Sequence, residues 1–268
     1  MPPSLCCCTC AYGRTELLAR VVTCFESQDY DNKYLLILDD GWQFTPPEAI
    51  GDCHHTWLSD RACIVSIRPR QPALGAKRNL SVRLAKAIFP NITAFLPIDS
   101  DDLFMSWHLS ASAAALEKSE WSRPSVVLSA HVFSNQWLFT QNYTGRKEDQ
   151  TTQRMYHPSW AIHLDAFNRV GGYPENESGM EDRHLMEKLD AAGVAHADYC
   201  ELGFQPGFAY CWKAGKSISS FLGAHDPTGS LAWAKLEKKL EPATLKPWTP
   251  SFDLSDPCIL PGIRPRPF

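Results

Sequence analysis

The sequence predicts an α/β fold built on a parallel sheet, and three observations predict it. Short apolar runs of strand length alternate with longer stretches whose apolar residues recur at helical spacing. The first strand, helix and strand fall within roughly 35 residues, the span of a βαβ unit with its right-handed crossover. Two of the apolar runs then stop abruptly on acids, at the carboxyl ends where open α/β sheets bind ligands.

Residues 5–9 are the first buried strand. After the turn-like Ala11-Tyr12-Gly13-Arg14, residues 15–27 carry Leu17, Leu18, Val21, Val22 and Phe25 at helical spacing, with Thr15 as N-cap. The run Tyr34-Leu35-Leu36-Ile37-Leu38 is the second strand, closed by Asp39-Asp40-Gly41, and Cys63-Ile64-Val65-Ser66-Ile67 is the next. Gly75-Ala76-Lys77-Arg78-Asn79 opens a helix reaching about residue 87, with Leu80, Leu84 and Ile88 on one face. A glycine and two cations there form either a phosphate-facing corner or a solvated basic helix start. Residues 110–118 are an Ala-rich helix and 125–129 a strand, while 140–154 are polar and unpatterned, the signature of a mobile loop. A strand at 160–163, a short helix at 165–170 and the turn Gly171-Gly172-Tyr173-Pro174 follow. Leu185, Leu189 and Ala192 mark another helix, with Glu181 and Asp182 in its first turn, where the dipole favours carboxylates. Residues 208–212 are a last strand, 231–240 a short amphipathic helix, and the chain from Pro242 is Pro-rich and extended.

Composition narrows the class. With 268 residues, 44% of them apolar, the chain can bury a sizeable core as one large domain or two small ones. A net charge of −4 announces neither a nucleic-acid nor a membrane-surface binder. No run approaches the roughly 18 apolar residues of a membrane span, and the start lacks a basic segment ahead of its apolar stretch, so a cytoplasmic location is expected. Ten cysteines include the crowded Cys6-Cys7-Cys8-Thr9-Cys10. They read as small buried hydrophobes of a reducing compartment. Cys7 and Cys10 form a CxxC and Cys53-His54-His55 adds soft ligands, so structural zinc is conceivable, yet no second CxxC completes a site.

The stretch Leu96-Pro97-Ile98-Asp99-Ser100-Asp101-Asp102-Leu103 carries the strongest chemical signal. Carboxylates this close repel one another unless a cation sits between them. Oxygen-only ligands suit Mg²⁺ or Mn²⁺, ions that keep positions open for substrate phosphates. A solvated acidic turn is the plain alternative.

Taken in order, these features resemble the inverting nucleotide-sugar glycosyltransferases of the GT-A fold, family 2, over roughly residues 5–195. Tyr12-Gly13-Arg14 matches the family's Tyr-Asn-Arg-like turn, Gln28-Asp29-Tyr30 its Gln-x-Tyr-like segment, and Asp39-Asp40-Gly41 its Asp-Asp-Gly strand end. Gly75 to Asn79 match Gly-x-x-x-Arg-Asn, Ile98 to Asp102 match Leu-Asp-x-Asp-Asp, and Gly171-Gly172-Tyr173 with Glu181-Asp182 match the Gly-Gly-Tyr and Glu-Asp pair. The chain departs from the pattern at Gly13, where members carry Asn. After Tyr210-Cys211-Trp212 the family's metal-binding His falls near Ile218, leaving His225 as the candidate.

The resemblance implies a Rossmann-like mixed, mostly parallel sheet flanked by helices, in a single domain over 1–241. Its nucleotide-binding half would cover about 1–103 and its acceptor half about 104–241, with 242–268 packed on it as an extension. It implies that Asp39 or Asp40 contacts the base beside Tyr12 and Arg14, that Lys77 and Arg78 lie near the donor with Ser100, and that Asp99 faces ribose and metal. Asp101 would hold a Mn²⁺ or Mg²⁺ ion, Asp102 would support the cluster, Asp182 would be the general base and Glu181 would orient the acceptor or the metal shell. The implied reaction moves a sugar from a nucleotide diphosphate donor, UDP by family habit, to an acceptor hydroxyl of a saccharide, glycolipid, protein or modified DNA base. A hydroxymethylated DNA base is an alternative acceptor, for which Arg61, Arg68, Arg70, Lys77, Arg78, Arg83 and Lys86 could track a phosphate backbone. Nucleotidyl transfer fits less well, because Cys10 to Arg14 make a poor phosphate loop. A catalytically silent donor-binding scaffold has no physical need of both Asp101 and Asp182.

Overall fold

The computed structural model describes residues 1–11, 17–46, 48–131, 136–142 and 156–212, with 234, 238 and 243. Tyr12, Arg14, Thr15, His225, most of the helix expected at 231–240 and the extension at 242–268 except residue 243 lie outside the described residues.

Among the described residues twelve strands make two sheets. They are β1 (Leu5–Ala11), β2 (Lys33–Asp39), β3 (Cys53–Ser59), β4 (Ala62–Ile67), β5 (Ala94–Pro97), β6 (Leu103–Phe104), β7 (Trp121–Ser122), β8 (Val126–His131), β9 (Gln136–Gln141), β10 (Ala161–His163), β11 (His196–Ala197) and β12 (Phe208–Trp212). The larger sheet runs β11-β7-β10-β5-β1-β2-β4-β3. Its centre, β5-β1-β2-β4, is parallel, while β3 on one side and β10 on the other are antiparallel. The smaller sheet runs β6-β12-β8-β9.

The central strands are apolar at nearly every position because both faces are covered. Leu35, Ile37, Ile64 and Leu96 face one core with α1 (Leu18–Glu26), α3 (His108–Leu116) and the smaller sheet. Leu36, Leu38, Val65 and Phe95 face another, beneath α2 (Leu74–Ile88), α4 (Leu164–Arg169) and α5 (Glu181–Ala191). The same alternation separates the cysteines: Cys7 lies in the first core, Cys6 and Cys8 in the second. Cys10 lines a small space with Cys8, so Cys7 and Cys10 point to opposite faces and cannot share an ion. The nine described cysteines are free thiols. Burial pushes Cys24 up to about 12 and Cys10 to about 11, leaving them protonated and unreactive.

Three expectations change. Cys53, His54 and His55, grouped in the sequence as soft metal ligands, open edge strand β3, with Cys53 and His55 adjacent on its exposed side, Sγ to Nε2 at 3.5 Å. The loop expected at 140–154 begins as structure. Buried Thr140 donates to Ser129 Oγ at 2.7 Å, and Asn142 bonds the Pro124 carbonyl at 2.8 Å and the Tyr156 amide at 2.9 Å; residues 143–155 lie outside the described ones. The two-residue strands β6, β7 and β11 have no counterpart in the expected elements, since a pair of residues shows no periodicity.

No described helix is long and apolar enough to cross a membrane.

His108, at the start of α3, is fully buried between Phe104 and Tyr199, and neither ring nitrogen has a hydrogen-bond partner among the described residues. Burial lowers its pKa to about 3. The unfolded chain takes up this proton near pH 6.5, so between those values the unfolded state binds more protons and stability falls as pH falls, by about 1.4 kcal/mol per unit. Denaturant unfolding at pH 7 and 5 should show His108→Phe losing about 2 kcal/mol less than the parent on acidification; equal losses would remove His108 from the acid response.

Candidate active site

The carboxyl ends of β1, β2, β4 and β5 lie side by side, and α2 starts beside them. The acids that end β2 and follow β5 therefore share one edge of the sheet.

Asp39 is fully buried and braces its own loop. Its Oδ1 accepts the Gly41 amide at 2.9 Å; its Oδ2 accepts the amides of Gln43 at 2.6 Å and Phe44 at 3.2 Å and the Ser66 hydroxyl at 2.9 Å. The fold this imposes puts Trp42 at φ 57, a left-handed conformation that costs a bulky residue about 1–3 kcal/mol. The Arg68 guanidinium covers the Trp42 ring at 4.3 Å. Asp40 is also buried: it pairs with Lys77 Nζ and accepts the Gln71 amide at 3.3 Å. Lys77 also donates to the Ala11 carbonyl at 2.6 Å. Its ammonium ties the ends of β1 and β2 to α2, a structural use that the motif alone did not distinguish from phosphate binding.

The helix start at Gly75 is not an open phosphate corner. The Gly75 amide donates to the Glu177 carbonyl at 2.9 Å and the Leu74 amide to Ser178 Oγ at 3.0 Å. The loop that covers it approaches so closely that a Cβ on Gly75 would lie 1.8 Å from the Pro174 carbonyl oxygen. Gly172, at φ 66, allows the same loop to exchange two bonds of 2.9 Å between the Asn79 amide group and the Tyr173 backbone. The Gly75-to-Asn79 and Gly-Gly-Tyr segments, far apart in sequence, are thus two sides of one junction.

Arg78 stands at the centre. Its side chain is 11% exposed; Nη1 contacts His157 Nδ1 at 2.6 Å, Nη2 contacts Asp99 Oδ1 at 3.4 Å, and Nε lies 3.3 Å from Glu181 Oε1. Burial opposes its charge, but Asp99, Tyr173 and Glu181 outweigh that and raise its pKa, so it stays a cation. His157 also meets the Tyr173 hydroxyl through Nε2, at 2.7 Å.

The acids differ in environment. Asp99 is half exposed, Asp101 partly exposed, and Ser100 and Asp102 buried. Asp102 Oδ1 accepts the Cys211 amide at 2.9 Å, which fastens the acidic turn to β12. Glu181 is buried and accepts the Gly179 amide at 2.6 Å. Asp182 follows it, with Oδ1 on the Arg183 amide at 2.7 Å. Burial, then repulsion from Glu181 and Asp99, lifts Asp182 to about 6 against the opposing pull of Arg78 and the Arg183 amide.

Sequence reasoning named most of this set but missed His157, which lies 79 positions from Arg78, and took Tyr173 as part of a turn and of the Gly-Gly-Tyr match, with no site role. No local spacing could have found the pair. Of the basic residues named for a phosphate track, Lys77 and Arg78 are buried in ion pairs, while Arg61 precedes β4 and Arg68 follows it.

No family sequence profile and no curated protein sequence matches the chain. Solved structures do resemble it. TarS 1–349 of S. aureus in complex with UDP superposes with a TM-score of 0.50 at 12% identity, over 78% of this chain and 61% of that one. A second structure of S. aureus TarS 1–349 gives 0.51 at 12%, over 78% and 60%. Mannosyltransferase PcManGT of Pyrobaculum calidifontis, in complex with GDP-Man and Mn²⁺, gives 0.50 at 15%, over 82% and 59%. The chain spans about three fifths of the length of these structures. It has the GT-A fold.

The junction is testable. Gly75→Ala should lower unfolding free energy by about 3 kcal/mol, the upper end of ordinary overpacking. Gly51→Ala meets open space and should cost only its backbone strain at φ 93, about 1 kcal/mol. Equal denaturant midpoints for the two variants would contradict the packing described.

Proposed function

We propose that the chain is a metal-dependent inverting glycosyltransferase that moves a sugar from a nucleotide diphosphate donor to an acceptor hydroxyl, with Asp182 as general base. One observation carries this reading: at the carboxyl edge of a GT-A sheet, a carboxylate with its pKa raised to about 6 shares the Arg78 neighbourhood with Asp99, the first of the acids that follow β5. The reading divides the chain as the sequence does, into a nucleotide half at about 1–103, an acceptor half at about 104–241 and an extension at 242–268.

The metal is supported by donor chemistry. Asp99 and Asp101 are partly exposed hard-oxygen ligands on one turn, suited to Mn²⁺ or Mg²⁺, ions that complete their shells with water and phosphate oxygens. Among the described residues no group of three His, Cys, Asp or Glu side chains is placed to hold a metal ion; His225 is the further candidate ligand. The ion, when bound, offsets the charge that develops on the departing diphosphate.

The chain's own groups do the rest. Asp182 keeps Oδ1 on the Arg183 amide, so Oδ2 is the oxygen that takes the acceptor proton. Glu181, held by Arg78 and the Gly179 amide, sets the start of α5 and so the aim of its neighbour. Asp40 and Ser100, with Tyr12 and Arg14, are the remaining donor-side candidates. Asp39 serves them by bracing its loop. A single displacement inverts the anomeric carbon and needs no second carboxylate to protonate the leaving group. UDP is the favoured donor nucleotide, with GDP next, since the two structural relatives bind UDP and GDP-Man.

Activity should fall below about pH 6 as Asp182 takes up a proton. Asp182→Asn should lower kcat by about 10²–10⁴-fold, the usual contribution of a positioned base, with donor binding retained. The product's anomeric configuration, read by NMR, should be inverted. Full turnover by Asp182→Asn, or retention of configuration, would overturn the mechanism.

A further inference from the structure

The contacts around Arg78 assign a role to a residue outside every motif above. Arg78 offers only N–H donors, so His157 Nδ1, at 2.6 Å from its Nη1, must be the acceptor. The imidazole therefore carries its hydrogen on Nε2 and donates it to the Tyr173 oxygen at 2.7 Å. Both side chains are 1% exposed. Trp160 packs edge-on against the ring with centroids 5.1 Å apart, and the Tyr173 ring lies at 5.5 Å, so the imidazole has one orientation. Protonating Nδ1 would turn the acceptor into a second cation against Arg78. Burial and that charge both hold His157 in the neutral form, its pKa well below the usual value.

The consequence falls on the carboxylates. The guanidinium is pinned from behind by His157, and its remaining edges reach Asp99, on the turn after β5, and Glu181, at the start of α5. Asp182 is faced by Arg78 from α2, by Asp99 from that turn, and by Glu181 and the Arg183 amide from its own helix. Among the described residues it forms no ion pair of its own.

Building on the reading of Asp182 as base, we propose that His157 is a positioning residue: as a neutral acceptor backed by Tyr173, it locks Arg78 between Asp99 and Glu181, so that one fixed cation orders the donor side and the base side of the site together. The arrangement favours proton transfer at Asp182 because both neighbouring acids are held by Arg78. It requires Nδ1 to be an acceptor, which ties the device to histidine's neutral Nε2–H tautomer. Asn can supply an amide oxygen near the Nδ1 position; Phe keeps the ring and supplies nothing.

Two measurements test this. In the unmodified protein, ¹⁵N NMR of the His157 ring at pH 6 should show the neutral Nε2–H tautomer; an imidazolium or an Nδ1–H tautomer would overturn the proposal whatever the variants do. In His157→Phe, the acid limb of kcat/KM should move up from about pH 6 by roughly half a unit or more, the low end of what displacing a neighbouring cation does to a carboxylate. Tyr173→Phe should move it the same way by less, and His157→Asn should bring it back toward the parent. A lower rate in His157→Phe with an unmoved acid limb would mean that His157 is only packing, and the proposal would fail while the assignment of Asp182 stood. Loss of the acid limb's dependence on Asp182 itself, seen as full turnover by Asp182→Asn, would instead remove the reading on which the proposal rests.

Discussion

A single buried guanidinium holds four parts of this protein to one another. Arg78 belongs to α2, Asp99 to the turn after β5, Glu181 to the start of α5, and His157 to a short 3-10 turn leading into β10. Taking such a charge out of water costs several kcal/mol, and carboxylates repay it only where geometry satisfies its donors. Its partners therefore cannot drift independently. Removing one acid would leave a buried charge short of its counterion, a larger loss than the pair's net contribution. The second buried pair, Lys77 with Asp40, fastens β2 to α2 one residue earlier on the same helix. Successive residues of one helix turn thus anchor the two acidic strand ends.

That clustering is possible only because the backbones come unusually close. The loop at 172–178 lies directly on the first turns of α2, with no room for a side chain at Gly75 or beside Asn79 at Gly172. The contact takes the amides of Leu74 and Gly75, the first two of α2, a position that in many α/β proteins receives a phosphate. In this chain the protein's own carbonyl and hydroxyl take them. On the proposed function, a donor diphosphate would rely on the acidic turn and a cation rather than on a helix dipole. This is the physical reason for placing metal chemistry at Asp99 and Asp101.

Much of the sheet was legible because its central strands are buried on both faces and so read as unbroken apolar runs, as in Leu35 to Leu38 or Cys63 to Val65. Edge strand β3 was not legible, since its exposed alternation places Cys53, His55 and Trp57 outward and the sequence Cys-His-His suggests ligands before it suggests a strand. The antiparallel insertion of β10 between β5 and β7 depends on two pairings of two residues each, which carry no local pattern. The site divides in the same way. The order of Asp39-Asp40, Lys77-Arg78, Asp99 to Asp102 and Glu181-Asp182 was visible in the chain, because each sits at a strand end or helix start. Which acid meets which base was not: Lys77 chooses Asp40, and Arg78 is shared with a histidine whose neighbours give no hint of it.

The central claim is that the acidic turn after β5 is where a nucleoside diphosphate and a divalent cation meet. Calorimetric titration of UDP and GDP into the protein, with Mn²⁺ and again in chelator, addresses it directly. The account predicts saturable binding of one of the two nucleotides that weakens at least tenfold, about 1.4 kcal/mol, when the metal is removed. Binding of equal strength in chelator, or none of either nucleotide with Mn²⁺ present, would contradict it.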